Sequence, residues 1–310
     1  MNSVWLDTDP GFDDFVTWLL LEHLPGTRLD GVSVVAGNAP LEHTLANALK
    51  ISTFLGSGTP VYAGCDRPLV AEQVTSQHLL GENGLGSIGQ RLPATTLLPS
   101  PLHAVDALAR HLEHKPLTTI VAIAPLTNLA LLLRRAPHLS RKIERLVIMG
   151  GSTDQGNQTA AAEFNIFADP EAAAVVFGSG VPIHMFGLNL TRQVLVTRQH
   201  SETLRATGTM AGELLADHLD FYLQIRDPQR NAPMPFHDPV TAVFLARPKL
   251  FQEIPAAVEI ELQGRLTRGM TVCEFRVPKK AQPTAMVAVQ ADGAGVMAYV
   301  MDRLLAFCAL

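Results

Sequence analysis

The sequence has few cysteines and little charge. Its three cysteines, Cys65, Cys273 and Cys308, are odd in number and far apart, which argues against a disulfide framework and against a spaced metal-binding motif. Only 17% of the residues are charged and the formal net charge is -5, so the basic face that nucleic-acid binding usually needs is missing. We therefore expect a cytoplasmic protein that does not bind nucleic acid.

Membrane and targeting segments are also missing from the sequence. No uncharged apolar run reaches the length of about 20 residues that spans a bilayer. The first residues carry acids where a signal peptide would have a basic and then an apolar region. We also find no internal repeat and no linker, and 310 residues of which 47% are hydrophobic can bury one large core. We expect a single domain over residues 1–310 with no membrane partner.

Apolar segments that resemble strands alternate with segments whose periodicity is typical of helices. Residues 29–35 and 118–123 are predicted strands, and residues 41–55 and 101–114 are predicted helices. Such βαβ alternation is typical of an α/β fold with a parallel sheet and right-handed crossovers. A further strand is predicted at residues 257–262, in the part of the chain that precedes the last helix.

Four carboxylates lie in the first turn of the chain. Asp7 and Asp9 end a strand-like run, and Asp13 and Asp14 follow after Pro10-Gly11 at the start of a predicted helix. Like charges this close raise one another's pKa, and a helix N-terminus offsets only part of that cost. A bound divalent cation would offset more, and oxygen ligands indicate Ca²⁺ or Mg²⁺ rather than zinc. The alternative is an ordinary turn in which an Asp caps the helix.

Polar or loop residues follow five predicted strands. They are Asp9, Asn38, Ala124, Met149 and Asn189. In a parallel sheet these positions share one edge, which is where open α/β folds bind ligands. The sequence therefore predicts that five loops face one crevice.

The long segment at residues 65–100 lacks clear periodicity and is predicted to be a functional loop or lid. Its run Gly84-Leu-Gly86-Ser-Ile-Gly89 matches a dinucleotide-binding pattern in letters only, because no strand precedes it. Nicotinamide binding is therefore not expected.

Seven short motifs occur in one order between residue 3 and about residue 290. They are Asp7-Thr-Asp9-Pro-Gly-Phe-Asp13-Asp14, Val35-Ala-Gly-Asn38, Ala124-Pro-Leu-Thr-Asn-Leu-Ala130, Met149-Gly-Gly, Gly156-Asn157, Ala162-Glu-Phe-Asn165-Ile-Phe-Ala-Asp-Pro-Glu171 and His237-Asp238-Pro239. Together they closely resemble the inosine-uridine preferring nucleoside hydrolase family. The resemblance implies Ca²⁺-dependent hydrolysis of the N-glycosidic bond of ribonucleosides to free base and ribose. It also implies a Rossmann-like open, mostly parallel sheet flanked by helices, assembled as a homodimer or homotetramer.

The resemblance also implies roles for individual residues. The metal would be held by Asp9, Asp14, Asp238 and the main-chain carbonyl of Ile123. Asp9 would also act as the general base, and His237 would lie beside the leaving base. The predicted substrate contacts are Asp13, Asn38, Met149, Asn157, Glu163, Phe164 and Asn165.

Chemistry gives these roles independent reasons. Glycosidic cleavage passes through an oxocarbenium-like state, and carboxylate and amide oxygens stabilise the positive charge that builds on the sugar. A Ca²⁺ ion can bind the ribose hydroxyls and lower the pKa of a coordinated water. Histidine has the pKa best suited to donating a proton to the base near neutral pH.

The sequence departs from the family pattern around the expected base. Leu80 stands where many members have His, and Asn189 where Asp is usual; residues 226–236 are rich in Pro and lack Tyr. The base preference therefore stays open.

Two other functions also stay open. One is a Mg²⁺-dependent phosphatase, which Asp7-Thr-Asp9 suggests although no phosphate-cradling loop is present, and the other is a non-catalytic nucleoside-binding protein.

Overall fold

The computed structural model describes residues 1–115, 117–276 and 281–310. Its strands are β1 (Asn2–Thr8), β2 (Thr27–Val34), β3 (Val61–Ala63), β4 (Thr118–Ala122), β5 (Ile143–Met149), β6 (Ile183–Phe186), β7 (Leu195–Val196), β8 (Met234–Pro235), β9 (Phe251–Ile260), β10 (Thr271–Glu274) and β11 (Ala285–Ala291). Its α-helices are α1 (Phe12–Glu22), α2 (Leu41–Leu55), α3 (Gln77–Leu80), α4 (Ala104–His114), α5 (Thr127–Arg135), α6 (Phe164–Ala168), α7 (Pro170–Phe177), α8 (Leu188–Thr191), α9 (Arg198–Arg205), α10 (Met210–Gln224), α11 (Pro239–Ala246) and α12 (Gly293–Cys308). Two 3₁₀ helices cover Pro137–Lys142 and Pro248–Leu250.

Nine of these strands form one sheet in the order β10-β9-β11-β6-β5-β4-β1-β2-β3. All neighbours from β11 to β3 pair in parallel, and β9 and β10 add an antiparallel edge. The remaining two strands, β7 and β8, pair with each other. The predicted α/β class with an open, mostly parallel sheet is therefore confirmed.

Helices cover both faces of the sheet, and successive side chains of β1 pack alternately against one set of helices and the other. Leu6 lies between Val32 of β2 and Val121 of β4 and packs into the core beneath α1, α10 and α12. Trp5, the preceding residue, points to the other face, where α4, α5 and α7 pack, because successive side chains of a strand alternate. Two separate hydrophobic cores therefore hold the central strand rigidly in place.

The carboxyl ends of the parallel strands meet at one edge of the sheet, and the candidate site residues lie at or just after these strand ends. Helix α1 begins right after the turn that ends β1, and α11 begins with Pro239 in its first turn and Asp238 at its N-cap position. Pro is favoured there because its missing N–H would have no partner in a first turn. The described helices all lack the combination of length and apolarity that a membrane crossing requires.

Most predicted elements are present, and the differences are at their ends. The helix expected from residue 101 begins at Ala104, because the His103 ring caps it by accepting the Val105 N–H. The strand expected at 257–262 starts at Phe251, because it pairs with β11 as far as Ala291. The predicted loop at residues 65–100 contains the short helix α3 and one isolated β-bridge, in which Ser100 pairs with Tyr62 of β3; the rest of this segment is irregular.

Candidate active site

A pocket lies at the carboxyl edge of the sheet. It is lined by Asp13, Asn38, Ser76, Leu79, Leu80, Ile123, Met149, Asn157, Glu163, Phe164, Asn165, Tyr222, Ile225, Met234, His237 and Asp238. Ten of the twelve residues predicted from the sequence are in this set. The other two, Asp9 and Asp14, are each 1% exposed and belong to the first turn, directly beside Asp13.

The first turn is closed by Asp14. Its Oδ2 accepts the N–H of Gly11, the N-cap residue of α1, at 2.9 Å, and its Oδ1 accepts the Thr8 hydroxyl at 2.5 Å and the Asp9 N–H at 3.2 Å. Asp14 therefore fixes the path from β1 into α1. These hydrogen bonds also lower the cost of keeping its buried carboxylate ionised.

Asp9 is held by the loop that follows β2. Its Oδ2 accepts the Asn38 N–H at 2.6 Å, and its carbonyl accepts the Asn38 side-chain amide at 3.0 Å. A side chain at Gly37 would meet Asp9 Oδ2 at 2.0 Å, so this approach requires glycine. Asp9 Oδ1 is buried and has no hydrogen-bond partner among the described residues.

Three carboxylates from two distant parts of the sequence converge at the pocket. Oxygen atoms of Asp13, Asp14 and Asp238 all lie within 4.8 Å of one another. Burial, with Asp14 as the next cause, raises the pKa of Asp13 to about 7, and burial together with Asp13 raises the pKa of Asp238 well above its ordinary value. The Asp238 side chain does not cap its own helix, so the ordinary structural role of an N-terminal Asp does not account for it.

The donor set fits a hard divalent cation. The cluster consists of carboxylate oxygens, the kind of ligand that Ca²⁺ and Mg²⁺ prefer. A positive charge would offset the burial and, for Asp13 and Asp238, the repulsion that raise the pKa values of these carboxylates. The unpartnered Asp9 Oδ1 is a further candidate ligand atom. This cluster contains Asp13, whereas the resemblance implied Asp9 as the third carboxylate ligand. Asp9 and the Ile123 carbonyl stay predicted ligands.

Glu163 and Asn165 organise the opposite wall of the pocket. Glu163 caps α6, because its carboxylate accepts the N–H groups of Asn165 and Ile166, and it also accepts the Gly151 N–H at 2.9 Å. Burial raises the pKa of Glu163 to about 7. The Asn165 amide donates to the carbonyls of Ile123 and Met149, at 3.2 and 3.1 Å. This amide therefore links the ends of β4 and β5 beside the pocket.

The loop that carries Asn157 is fixed from two sides. Asn157 Oδ1 accepts the Phe164 N–H at 2.9 Å. Arg192, just after α8, donates to the Asp154 carboxylate and to the carbonyls of Gln155 and Gly156, each at 3.0 Å. These bonds give a predicted substrate contact a defined position although it lies in a loop.

His237 lines the pocket, and its side chain is half-buried. Its Nδ1 lies 2.8 Å from the hydroxyl of Thr191 in α8. Burial, with Arg192 as a second cause, lowers the pKa of His237 to about 4. The expectation of a pKa suited to proton donation near neutral pH is therefore wrong for this environment. The ring is neutral at pH 7 and still has one N–H to donate.

The sequence did not point to several side chains that cover the pocket. Leu79 comes from α3 in the predicted lid, so the lid prediction located it in general terms. Leu80 and Met234 belong to the regions in which the sequence departs from the family pattern around the expected base. Tyr222 and Ile225, from the end of α10, had no local signal. The loop after β6 supplies none of the lining among the described residues, so the prediction of five loops at the crevice is correct for four.

An open, mostly parallel sheet with an acidic cluster and a polar pocket at its carboxyl edge defines a Rossmann-like α/β enzyme with a site suited to a metal ion. The family model for inosine-uridine preferring nucleoside hydrolase matches residues 4–298, and the chain belongs to this family. The protein is accordingly an enzyme that hydrolyses N-glycosyl compounds, a ribonucleoside hydrolase.

The comparisons with individual proteins agree with this assignment. Two proteins called pyrimidine-specific ribonucleoside hydrolase RihA, from Citrobacter koseri and Escherichia coli (strain K12), are each 39% identical over 305 residues, which cover 97% of this chain and 97% of theirs. The solved structure of a purine-preferring ribonucleoside hydrolase from Gardnerella vaginalis is 30% identical, has a TM-score of 0.91 and covers 99% of both chains.

Proposed function

We propose that the protein is a Ca²⁺-dependent hydrolase that splits the N-glycosidic bond of pyrimidine ribonucleosides into free base and ribose. The observation that carries the proposal is the convergence of Asp238 with Asp13 and Asp14 beside a pocket lined by amides and carboxylates. The chain acts as a single domain over residues 1–310, in the cytoplasm, and assembles as a homodimer or homotetramer.

The cation would be held by Asp9, Asp14, Asp238 and the Ile123 carbonyl, with Asp13 close by. When bound, Ca²⁺ would supply positive charge that fixes the ribose hydroxyls and makes a water more acidic. Asp9 then has the right arrangement for a general base. Its Oδ2 accepts the Asn38 N–H, and Oδ1 has no partner among the described residues; because a carboxylate has about four acceptor sites, Asp9 can contact the cation and still take the water's proton.

The opposite wall stabilises the sugar as the bond breaks. Positive charge builds on the ribose ring in an oxocarbenium-like state. Glu163 is 2% exposed, and a buried carboxylate interacts strongly with such charge because little water screens it. Its three backbone N–H partners hold it in place before the substrate arrives, so no reorganisation is needed during the reaction.

The base would lie among the residues that cover the pocket. Leu80, Ile225 and Met234 offer apolar surface to a planar ring, and His237 provides an N–H for the base as it departs. We propose a pyrimidine because both RihA relatives carry that specificity in their names.

The test is a panel of nucleosides assayed for reducing sugar, with and without a chelator. We expect ribose from uridine and cytidine, loss of the activity with chelator, recovery with Ca²⁺, and loss by at least a hundredfold in Asp9→Asn. The control is Glu72→Gln, which removes a surface charge and should leave the rate unchanged.

Other outcomes would reject the proposal. Turnover of a nucleotide without turnover of its nucleoside would favour a phosphatase. Calorimetric binding of nucleosides without any ribose release would favour a non-catalytic binding protein.

A further inference from the structure

Thr191 touches His237 from outside the pocket. It is the last residue of α8, it is fully buried, and its hydroxyl oxygen lies 2.8 Å from His237 Nδ1. Thr191 is absent from the pocket lining, whereas His237 is part of it. One ring nitrogen therefore contacts the protein interior, and the other is left for the pocket side.

The hydrogen-bonding needs of Thr191 indicate which atom carries the hydrogen. A buried hydroxyl hydrogen is almost always given to an acceptor. Among the described residues, His237 Nδ1 is the one partner found for this hydroxyl, since the Thr191 N–H, not its side chain, bonds the Gly187 carbonyl. If Nδ1 carried a hydrogen, the hydroxyl hydrogen would lack an acceptor. The arrangement that satisfies both groups has the hydroxyl donating and Nδ1 accepting.

The state of the second nitrogen follows from this. In a neutral imidazole one nitrogen carries the hydrogen and the other accepts, so an accepting Nδ1 leaves the hydrogen on Nε2. Within residues 1–115, 117–276 and 281–310, Nε2 has no hydrogen-bond partner. It is also not among the fully buried side-chain atoms of these residues that lack a partner, so it is accessible from the pocket. It is thus a donor directed to the pocket.

We propose that Thr191 is a positioning residue that holds His237 in the tautomer whose Nε2–H donates to the departing base. The inference rests on the proposed function and adds a residue to it. When the bond between C1′ and the base nitrogen breaks, its electron pair stays on the base. The Nε2–H hydrogen-bonds the base as this negative charge develops, without leaving the ring. The base takes its proton from solvent, which balances the proton that the attacking water gives up. The other tautomer would present a lone pair to the same charge.

The test compares substrates that differ in their need for a donor. In Thr191→Val, which keeps the shape and removes the hydroxyl, we expect kcat for uridine to fall about tenfold, a part of the roughly 10²–10³ that one hydrogen-bond donor to a developing charge contributes. With the β-ribofuranoside of 4-nitrophenol, whose leaving group is a stable anion, kcat should stay within about twofold of wild type, and this activity also shows that the variant folds. Thr191→Ser, which retains the hydroxyl, should recover most of the uridine rate.

Two further variants make the result specific. Thr118 is the matched control: it is fully buried, and its hydroxyl lies 3.0 Å from His111 Nε2, but it starts β4 at the far end from the site. Thr118→Val should leave the ratio of the two substrates unchanged. In a His237→Gln background, Thr191→Val should cause no additional loss with uridine.

Three results would overturn the inference. An unchanged uridine rate in Thr191→Val would show that the hydroxyl has no role. An equal loss with both substrates would show a purely structural role. If the wild-type protein released no ribose from either substrate, both the proposed function and this inference would be wrong. That outcome is distinct from the first two, because they require an active wild-type protein.

Discussion

Replacing Asp238 with Asn should change the stability of the protein in opposite directions with and without a divalent cation. Carboxylate oxygens of Asp238, Asp13 and Asp14 lie within 4.8 Å of one another. Two unit charges at that distance repel by about 3 kcal/mol at an effective dielectric constant of about 20. Removing one charge from the cation-free protein therefore removes repulsion that the native fold has to overcome.

The size of the effect is limited by protonation. Burial and Asp13 raise the pKa of Asp238 well above its ordinary value, so the cation-free cluster is partly neutral at pH 7 and the full repulsion does not develop. We expect Asp238→Asn to stabilise the chelated protein by about 1–2 kcal/mol, or about 2–4 °C in melting temperature for a chain of this size. With cation at a hundred times its dissociation constant, wild type gains about 2.7 kcal/mol, and the variant should lose most of this gain.

The assay is thermal unfolding of wild type, Asp238→Asn and the surface control Glu72→Gln at pH 7.5, each with chelator and with Ca²⁺. The expected result is that the melting temperatures of wild type and Asp238→Asn change order when Ca²⁺ replaces chelator, while Glu72→Gln follows wild type in both. A variant that is less stable than wild type in chelator would refute the reasoning, because the carboxylate would then stabilise the fold without a cation.

The remaining predictions concern pH, the pocket walls and a thiol. The pKa of Asp13 is raised to about 7, so the native state binds more protons than the unfolded chain between about pH 4 and pH 7. The melting temperature of the chelated protein should therefore fall as the pH rises through this range. A melting temperature that does not change with pH would contradict this. Asn165→Ala removes the amide that links two strand ends, and we expect Ca²⁺ affinity from calorimetry to fall about tenfold; unchanged affinity would contradict it. Arg192→Met should free the loop that carries Asn157 and raise KM for uridine severalfold with a smaller change in kcat; an unaltered KM would contradict it. Burial raises the pKa of Cys65 to about 12, so mass spectrometry should find it unlabelled by iodoacetamide in native protein at pH 8 and labelled after unfolding.

The sequence predicted those parts of the site that depend on local rules. A strand that ends at Thr8, followed by Asp9-Pro10-Gly11 and a helix, determines where Asp13 and Asp14 lie on the first turn. The sheet edge then explains why Met149 lines the same pocket as Asp13, since Met149 ends β5, a parallel strand two places from β1 in the sheet. These features need only the period of a strand, a helix start and the parallel direction of the strands.

Contacts set by packing were not predictable in the same way. The carboxylate cluster contains Asp13, whereas Asp9 Oδ2 accepts the Asn38 N–H from the loop after β2. The Thr191 hydroxyl meets His237 across 46 positions of sequence, and no local pattern reports such a pair. The low pKa of His237 likewise depends on burial, which only the assembled fold reveals.

The most direct test of the central claim is an anomalous difference map from crystals grown with Ca²⁺ and ribose. We predict one strong peak about 2.3–2.6 Å from carboxylate oxygens of Asp14 and Asp238, with the sugar hydroxyls at the same ion. A fully active enzyme whose crystals show no peak between these carboxylates, or a peak elsewhere in the chain, would contradict the account.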